Sequence, residues 1–275
     1  MHTVQAHGAA IPALGFGTWQ LRGDAATDLV RVALETGYRH IDTARMYGNE
    51  AEVGRAIKAS GVARDQIFLT TKVWPDDFTR DALDRAVADS LKSLGTDYVD
   101  LLLLHWPNPA VPLRETLGGL AHAHRQGRAR HVGVSNFTVA LIEEAVSVSE
   151  VPLCANQVEY HPYLSQEPVL ASLRRHGMAL TAHSPMARGN AASDPTLRRI
   201  GETHGKSPVQ VCLRWLVQQE DVAAIPRTQT AERVRSNFAV FDFELTREEM
   251  AEITGLARPD GRLVNPAIAP AWDAA

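Results

Sequence analysis

The sequence has few cysteines and no strong excess of charge of either sign. Only Cys154 and Cys212 occur among 275 residues, far apart and in apolar surroundings, and they match no spacing of metal ligands. We therefore expect two buried thiols in a reducing compartment, and no metal site. The formal net charge is −4, with 28 basic and 32 acidic side chains. This near balance argues against nucleic acid or an anionic membrane as the main partner.

Long apolar runs are also missing. The apolar stretch at residues 98–104 has the length and composition of a buried strand and is too short to span a membrane. Residues 1–4 carry no basic region followed by an apolar one, which predicts that there is no signal peptide. We expect a cytoplasmic protein with no membrane partner.

Two common signatures of enzyme chemistry are absent as well. Gly15 and Gly17 could begin a dinucleotide-binding fingerprint, but Gln20 occupies the position of its third glycine. No Gly-x-Ser-x-Gly motif marks a nucleophilic serine. A doubly wound sheet that binds a dinucleotide through that fingerprint is therefore only the second candidate for the fold.

Short apolar strands alternate with helices along the chain, after a predicted β-hairpin over residues 2–14. The eight strands are predicted at 13–16, 38–41, 66–71, 98–104, 129–134, 153–156, 178–182 and 222–225. Helices are predicted at 25–35, 50–59, 80–94, 113–126, 139–147, 167–176, 195–203, 209–218, 231–239 and 247–256. Such alternation over about 250 residues predicts an α/β protein with a (β/α)8 TIM barrel. We expect one domain over residues 1–275, with extra helices near its carboxyl terminus.

Polar and aromatic residues follow the predicted strands. In a barrel the segments after the strands converge on one rim, where α/β barrels carry out their chemistry. Each of these residues alone has an ordinary structural explanation, but their occurrence at successive strand ends favours a site. The set is Trp19, Asp42, Tyr47, Lys72, Trp74, His105, Trp106, Ser135, Asn136, Gln157, His183 and Arg227.

Four of these residues suggest acid–base chemistry. A tyrosine has a pKa of about 10 and is a poor acid at neutral pH, but a nearby ammonium favours its phenolate. Lys72 could lower the pKa of Tyr47 in this way, with Asp42 holding the lysine in place. His105 could donate a hydrogen bond to a carbonyl oxygen.

Seven motifs occur in an order that closely resembles the aldo-keto reductase superfamily, over about residues 3 to 256. They are Gly15–Trp19, Asp42–Ala44 with Met46–Glu50, Lys72–Trp74, His105–Pro107, Gly133–Phe137, Asn156–Pro162 and Ile225–Arg227. The resemblance is to the compact bacterial branch that includes 2,5-diketo-gluconate and methylglyoxal reductases. It implies an NADPH-dependent enzyme on a (β/α)8 barrel that reduces aldehydes and ketones, including dicarbonyls and keto-sugars, and acts as a monomer on a small-molecule substrate.

The resemblance also implies a role for each site residue. Tyr47 would be the general acid, Lys72 would tune its pKa, Asp42 would be the partner of Lys72, and His105 would orient the carbonyl. The nicotinamide carboxamide would be bound by Ser135, Asn136 and Gln157. The stretch from Ser184 to Gly189, with Met186 and Arg188, would wrap the pyrophosphate. The 2′-phosphate and adenine would be bound by Arg227, Thr228, Arg233 and Asn237. The substrate pocket would be lined by Trp19, Trp74 and Trp106.

The chain departs from the family pattern at three points. His183 stands where the family usually places an aromatic ring, most often tyrosine, under the nicotinamide. Arg227 stands where a lysine is common, and it keeps the charge while adding a bidentate donor. The loop after His105 runs directly into the next helix, which predicts an open, less selective pocket. The tail bearing Trp272 either folds over the pocket mouth or is disordered.

Two other functions are compatible with a barrel. One is a non-catalytic, NADP(H)-binding regulatory protein, against which the complete set of Asp42, Tyr47, Lys72 and His105 argues. The other is a glycosidase that uses Glu159, which would need a second carboxylic acid facing it across the pocket.

Overall fold

The computed structural model describes residues 2–273, which contain ten strands. In chain order these are Thr3–Ala6 (β1), Ala9–Pro12 (β2), Phe16–Gly17 (β3), His40–Asp42 (β4), Phe68–Val73 (β5), Val99–Leu104 (β6), Ala129–Ser135 (β7), Leu153–Glu159 (β8), Ala179–His183 (β9) and Val222–Ala224 (β10). The first two pair antiparallel as the predicted hairpin. The other eight form one parallel sheet in sequence order.

The sheet closes on itself at the junction between its first and last strands. Leu14 and Ala224 form a parallel bridge. Gly15 N donates to Ala224 O at 2.8 Å, and Gly17 N donates to Pro226 O at 3.0 Å. These bonds join the edge of β3 to β10, so the predicted (β/α)8 barrel is confirmed. Closure satisfies the backbone groups that an open sheet would leave at its edges.

The described residues contain ten α-helices, eight of which lie between strands. They are Gly23–Thr36 (α1), Glu50–Ser60 (α2), Arg80–Leu94 (α3), Leu113–Arg125 (α4), Val139–Val148 (α5), Glu167–Arg175 (α6), Pro195–His204 (α7), Pro208–Val217 (α8), Ala231–Phe238 (α9) and Arg247–Thr254 (α10). Gly95 ends α3 with a left-handed φ of 65°, as its position after the apolar pattern predicts. Between residues 2 and 273 no helix combines the length and apolarity that a membrane crossing requires.

The barrel interior and the helix–sheet interface are apolar. All six residues of β6 are buried, as are all seven of β8. The hairpin lies at the amino ends of the strands, since Nδ1 of His40, the first residue of β4, is 3.2 Å from Pro12 O. The opposite, carboxyl end of the barrel is therefore the end available for a site.

The strand boundaries differ from the predicted ones by up to three residues. β8 ends at Glu159 rather than at 156, and β5 ends at Val73 rather than at 71. The first predicted strand, 13–16, is reduced to Phe16–Gly17 beside the single bridge at Leu14. Polar side chains that the pattern places after the strands, such as Asp42 and Lys72, are in fact within them. Backbone pairing continues through both residues, since Asp42 pairs with Gly17 and Thr70, and Lys72 pairs with Leu103.

Candidate active site

A buried ion pair lies at the carboxyl ends of two neighbouring strands. Lys72 Nζ of β5 donates to Asp42 Oδ1 of β4 at 2.6 Å and to Thr43 O at 2.9 Å. The two side chains are 0% and 2% exposed, so neither charge is screened by water. The sheet register places Asp42 opposite Thr70, two residues before Lys72, and side chains two apart in a strand share a face.

Tyr47 lies directly beside this ion pair. Lys72 Nζ approaches the Tyr47 hydroxyl at 3.4 Å, which is a long hydrogen bond. The tyrosine ends a one-turn 3-10 helix, Arg45–Tyr47. Arg45 joins that turn to the neighbouring segments through ion pairs with Asp77 at 3.4 Å and Asp89 at 3.2 Å. The hydroxyl is therefore held at the ammonium by the strand, the turn and the ion pairs together.

His105, directly after β6, completes the predicted group of four. Its ring packs edge-on against Tyr47 at a centroid distance of 5.6 Å and against Trp74 at 5.2 Å. Its Nδ1 is buried and has no hydrogen-bond partner among the described residues. The ring lines the cavity that also contains the Tyr47 side chain, so it can reach a ligand there.

The surroundings set the protonation of these groups. Burial raises the pKa of Tyr47 above its ordinary value; the Lys72 ammonium lowers that pKa, as predicted, but by less than burial raises it. Burial alone would lower the pKa of Lys72, yet the Asp42 carboxylate and, after it, Tyr47 raise it overall. At neutral pH the site therefore holds a neutral phenol beside a charged ammonium. The sequence predicts only the smaller of the two effects on Tyr47.

Two buried histidines in the site remain neutral. Burial, and then the charge of Lys72, hold the pKa of His105 well below its usual range. Burial lowers the pKa of His183 to about 4. Because both rings are neutral at pH 7, each carries one N–H donor and one acceptor nitrogen.

A single cavity of about 1220 Å³ brings the predicted residues together. Every predicted site residue except Lys72 lines it. Lys72 is not part of the cavity lining because its side chain is buried behind the Tyr47 hydroxyl. The lining also includes residues to which the sequence assigns no role, among them Gln20, Met46, Leu263, Val264, Asn265 and Pro266. The last four come from a coil with no periodic pattern, so no sequence signal could have placed them there.

The polar side chains predicted to bind the carboxamide form a network. Ser135 Oγ donates to Gln157 O at 2.8 Å, and Gln157 Nε2 donates to Asp42 Oδ2 at 2.7 Å. Asn136 Nδ2 donates to His105 O at 2.9 Å, and Asn136 Oδ1 is 3.1 Å from His183 Nε2. The network links the ends of β4, β7, β8 and β9, so these side chains are held together before any ligand binds.

The far part of the cavity can accept an anion. Ser184, Ala187 and Arg188 have left-handed φ values of 52°, 48° and 53°, a backbone conformation typical of concave turns that present N–H groups to anions. Arg233 lies exposed in the first turn of α9, and Arg227 lies just before that helix. Arg227 donates to Trp19 O at 2.8 Å and to Gln20 Oε1 at 2.7 Å. A long cavity with a polar network at one end and cations at the other fits a ligand that carries phosphates.

Glu159 does not face the cavity as a glycosidase acid would. It is absent from the lining and accepts hydrogen bonds from Leu263 N and Val264 N at 2.9 Å each. Those bonds commit both of its oxygens to the protein. The glycosidase hypothesis therefore has no support in this geometry.

Known proteins resemble the chain in sequence and in fold. The Aldo/keto reductase family matches residues 13–258. The methylglyoxal reductase DkgB of Salmonella typhi is 42% identical over 267 residues, covering 96% of this chain and 99% of that protein. A crystal structure provisionally named 2,5-diketo-D-gluconic acid reductase B is 53% identical, with a TM-score of 0.98 and coverage of 100% of this chain and 98% of that one.

A third relative carries a bound cofactor. The crystal structure of a Bombyx mori aldo-keto reductase in complex with NADP is 35% identical and has a TM-score of 0.89, covering 96% of this chain and 95% of that one. These relatives match over nearly the whole length of each protein. The chain belongs to the aldo/keto reductase family, a family of oxidoreductases.

Proposed function

We propose that the protein reduces aldehydes and ketones to alcohols with NADPH, and that Tyr47 donates the proton. The observation that carries this proposal is the contact between the Tyr47 hydroxyl and Lys72 Nζ at the edge of the cavity. A phenol that stays protonated at neutral pH can act as an acid, and the adjacent ammonium stabilises the phenolate that remains afterwards.

The proposed chemistry follows from the charges in the site. When bound, NADPH would supply the hydride that adds to the carbonyl carbon. The carbonyl oxygen then gains negative charge, and the Tyr47 hydroxyl transfers its proton to that oxygen. The neutral His105 ring donates a hydrogen bond to the same oxygen and orients the carbonyl. Lys72, held by Asp42, faces the phenolate with its positive charge until the proton is replaced.

The proposed cofactor sites follow the cavity from end to end. Ser135, Asn136 and Gln157 would hold the carboxamide, beside His183. The turn at Ser184, Met186 and Arg188 would enclose the pyrophosphate. The 2′-phosphate and adenine would be held by Arg227, Thr228, Arg233 and Asn237. Two arginines beside the start of a helix favour the additional phosphate of NADPH over NADH.

We propose small, uncharged aldehydes and dicarbonyls such as methylglyoxal as the preferred substrates. The cavity lining includes the aromatic rings of Trp19, Trp74 and Trp106, and Trp74 packs edge-on against His105. The one cation described beside the Tyr47 hydroxyl, Lys72, is buried and paired with Asp42. A carboxylate on the substrate would therefore lose water there without gaining a positively charged partner. The name of the Salmonella typhi relative supports the same substrate class.

The test is a screen of NADPH oxidation with purified protein. We expect higher kcat/KM with methylglyoxal and other neutral dicarbonyls than with 2,5-diketo-gluconate, and much lower rates with NADH. Binding of NADPH without oxidation by any carbonyl would instead support the regulatory hypothesis. A preference for the anionic keto-sugar would contradict the proposed substrate class.

We further propose that the chain works as a single-domain monomer in the cytoplasm, without nucleic acid or membrane partners. Its balanced charge supports the part of this proposal that concerns nucleic acid and anionic membranes. Sedimentation analysis at several protein concentrations tests the monomer, and cell fractionation tests the location.

A further inference from the structure

The carboxyl-terminal segment, residues 258–273, crosses the carboxyl end of the barrel as coil. Leu263, Val264, Asn265 and Pro266 contribute one wall of the cavity. Its internal hydrogen bonds are isolated ones, such as Gly261 N to Arg258 O at 3.0 Å and Ala269 N to Pro266 O at 2.9 Å, so it needs other contacts to hold a defined position. Two of the contacts that hold this wall come from the end of β8 and the loop that follows it.

Glu159 makes the main polar contact with the segment. Its side chain is 1% exposed, and its two oxygens accept from Leu263 N and Val264 N at 2.9 Å each. His161 Nε2 is 3.1 Å from Oε1, and Arg262 Nη1 is 3.9 Å from Oε2. A buried carboxylate is tolerated only when donors surround it. Here two of those donors are backbone amides of the wall itself.

A close approach at Gly261 makes the second contact. Arg258 N donates to Tyr163 O at 3.2 Å. A Cβ added to Gly261 would lie 1.7 Å from Tyr163 O, so any other residue would push the segment away from the barrel. The segment is therefore seated on residues 159–163 both by hydrogen bonds and by shape.

The far end of the segment is also attached. Asp273 Oδ2 accepts from Val139 N, in the first turn of α5, at 2.9 Å. The Trp272 ring packs against Trp106 at a centroid distance of 6.0 Å, and the Arg262 guanidinium stacks on Trp272 at 3.7 Å. With both ends attached, residues 263–266 form a wall whose position depends on the Glu159 side of the barrel.

We propose that Glu159 is a positioning residue that fixes the carboxyl-terminal segment as the wall of the substrate pocket. It thereby sets the affinity for carbonyl substrates long enough to touch that wall. This inference rests on the proposed carbonyl reduction, but the position of the wall can be measured without it. Glu159 also pairs in register with His183, so the alternative role is an effect on the cofactor through His183, and the experiment separates the two roles.

The first measurement is amide hydrogen exchange at Leu263 and Val264 in Glu159→Gln. Glutamine keeps the size of the side chain but presents an N–H to one of the two backbone donors. We expect exchange at these amides to be faster by about tenfold or more, as for the loss of a hydrogen bond to a charged group. Glu167→Gln, an exposed carboxylate in the first turn of α6, is the matched control and should leave both amides protected.

The second measurement compares a long substrate with a short one. In Glu159→Gln we expect KM for decanal to rise several-fold while KM for methylglyoxal, kcat for both, and the Kd of NADPH stay unchanged. Glu159→Asp, which keeps the charge, should recover part of the effect. A fall in NADPH affinity with the amides still protected would mean that Glu159 acts through His183, and would overturn the proposal.

Gly261→Ala tests the seating of the segment from the other side, and Glu159→Asp carries the test of Glu159 if Glu159→Gln does not fold. Gly261→Ala should accelerate exchange at the same amides and raise the same KM. Gly118→Ala, where an added Cβ meets no atom within 4 Å, is its control. Unchanged exchange and kinetics in Gly261→Ala would overturn the proposal. If the wild-type protein reduces no carbonyl, the proposed function fails, while the exchange data still report whether Glu159 holds the wall.

Discussion

Two buried carboxylates on barrel strands, Asp42 and Asp100, each pair with basic side chains, but at opposite ends of the barrel. Asp100 lies near the amino end of β6. Its oxygens accept from Arg64 at 2.7 Å, Arg130 at 3.0 Å and Leu69 N at 3.0 Å. Both guanidinium groups stack on the Tyr98 ring, at 4.2 Å and 4.1 Å, and both side chains reach solvent. The polar groups of this cluster form hydrogen bonds and ion pairs with one another, and the cluster contributes to the stability of the fold.

Asp42, at the carboxyl end of β4, is in a different position. Its one cationic partner, Lys72, is shut off from solvent and also contacts the Tyr47 hydroxyl, which faces the cavity. Similar residue types thus form a structural ion pair at one end and a group able to act on a ligand at the other. The difference arises because the carboxyl end has a cavity and a titratable hydroxyl within reach of the cation.

The largest expected effect is the loss of activity when the proton donor at the carboxyl end of the barrel is removed. Tyr47→Phe keeps the ring and its packing but removes the proton donor. We expect kcat to fall by about 10²–10⁴-fold, as for a lost general acid. Steady-state rates together with NADPH fluorescence titration test this, and cofactor affinity should stay close to that of the wild type. A nearly normal kcat would leave His105 as the next candidate for the acid.

The next largest effect is expected when the ion pairs of Asp42 and of Asp100 are broken and the losses of rate and stability are compared. Lys72→Met strands a buried carboxylate, so we expect a rate loss comparable to that of Tyr47→Phe and a stability loss of about 3–5 kcal/mol. Asp100→Asn should cost about 1–3 kcal/mol, because its arginines can still reach water, and should leave kcat unchanged. Urea unfolding and rates measured on both variants test the contrast. A fall in kcat in Asp100→Asn would mean that the amino end also influences the chemistry.

A smaller effect is expected at the cationic end of the cavity. Arg227→Ala and Arg233→Ala should each reduce the preference for NADPH over NADH by about 10–100-fold, since each removes a charged hydrogen-bond donor. The ratio of kcat/KM for the two cofactors measures it. Arg235→Ala is the matched control, because Arg235 is exposed on the same helix and does not line the cavity. If both variants keep the wild-type preference, the phosphate site lies elsewhere.

The smallest expected effect is that of pH. Burial lowers the pKa of His105 well below its usual range and that of His183 to about 4, so both rings stay neutral from about pH 6 upward. Burial raises the pKa of Tyr47, so the proton donor is lost only as the pH rises through that raised value. We therefore expect kcat with methylglyoxal to be nearly constant between about pH 6 and 8. An inflection near the ordinary histidine pKa of 6.5 would contradict the neutral state of His105.

Much of the site could be predicted because most of its residues belong to short sequence motifs. Asp42, Lys72 and His105 all occur at the carboxyl end of an apolar strand, and a barrel brings such ends together. What could not be predicted is where each strand ends. The apolar pattern of a sequence indicates which side chains are buried, whereas a strand ends where backbone pairing ends. The pattern therefore places Lys72 and Gln157 after strands that in fact contain them.

The sequence alone determined the order of strands and helices, because periodicity and glycine stops act over a few neighbouring residues. It also determined which residue types meet at the carboxyl rim. Only the tertiary structure decided that burial outweighs Lys72 in setting the pKa of Tyr47, since burial is a sum over segments distant in the chain. It also decided that Glu159 holds the carboxyl-terminal segment instead of facing a substrate. The partners of that carboxylate lie about a hundred residues away along the chain, where no local pattern can reach.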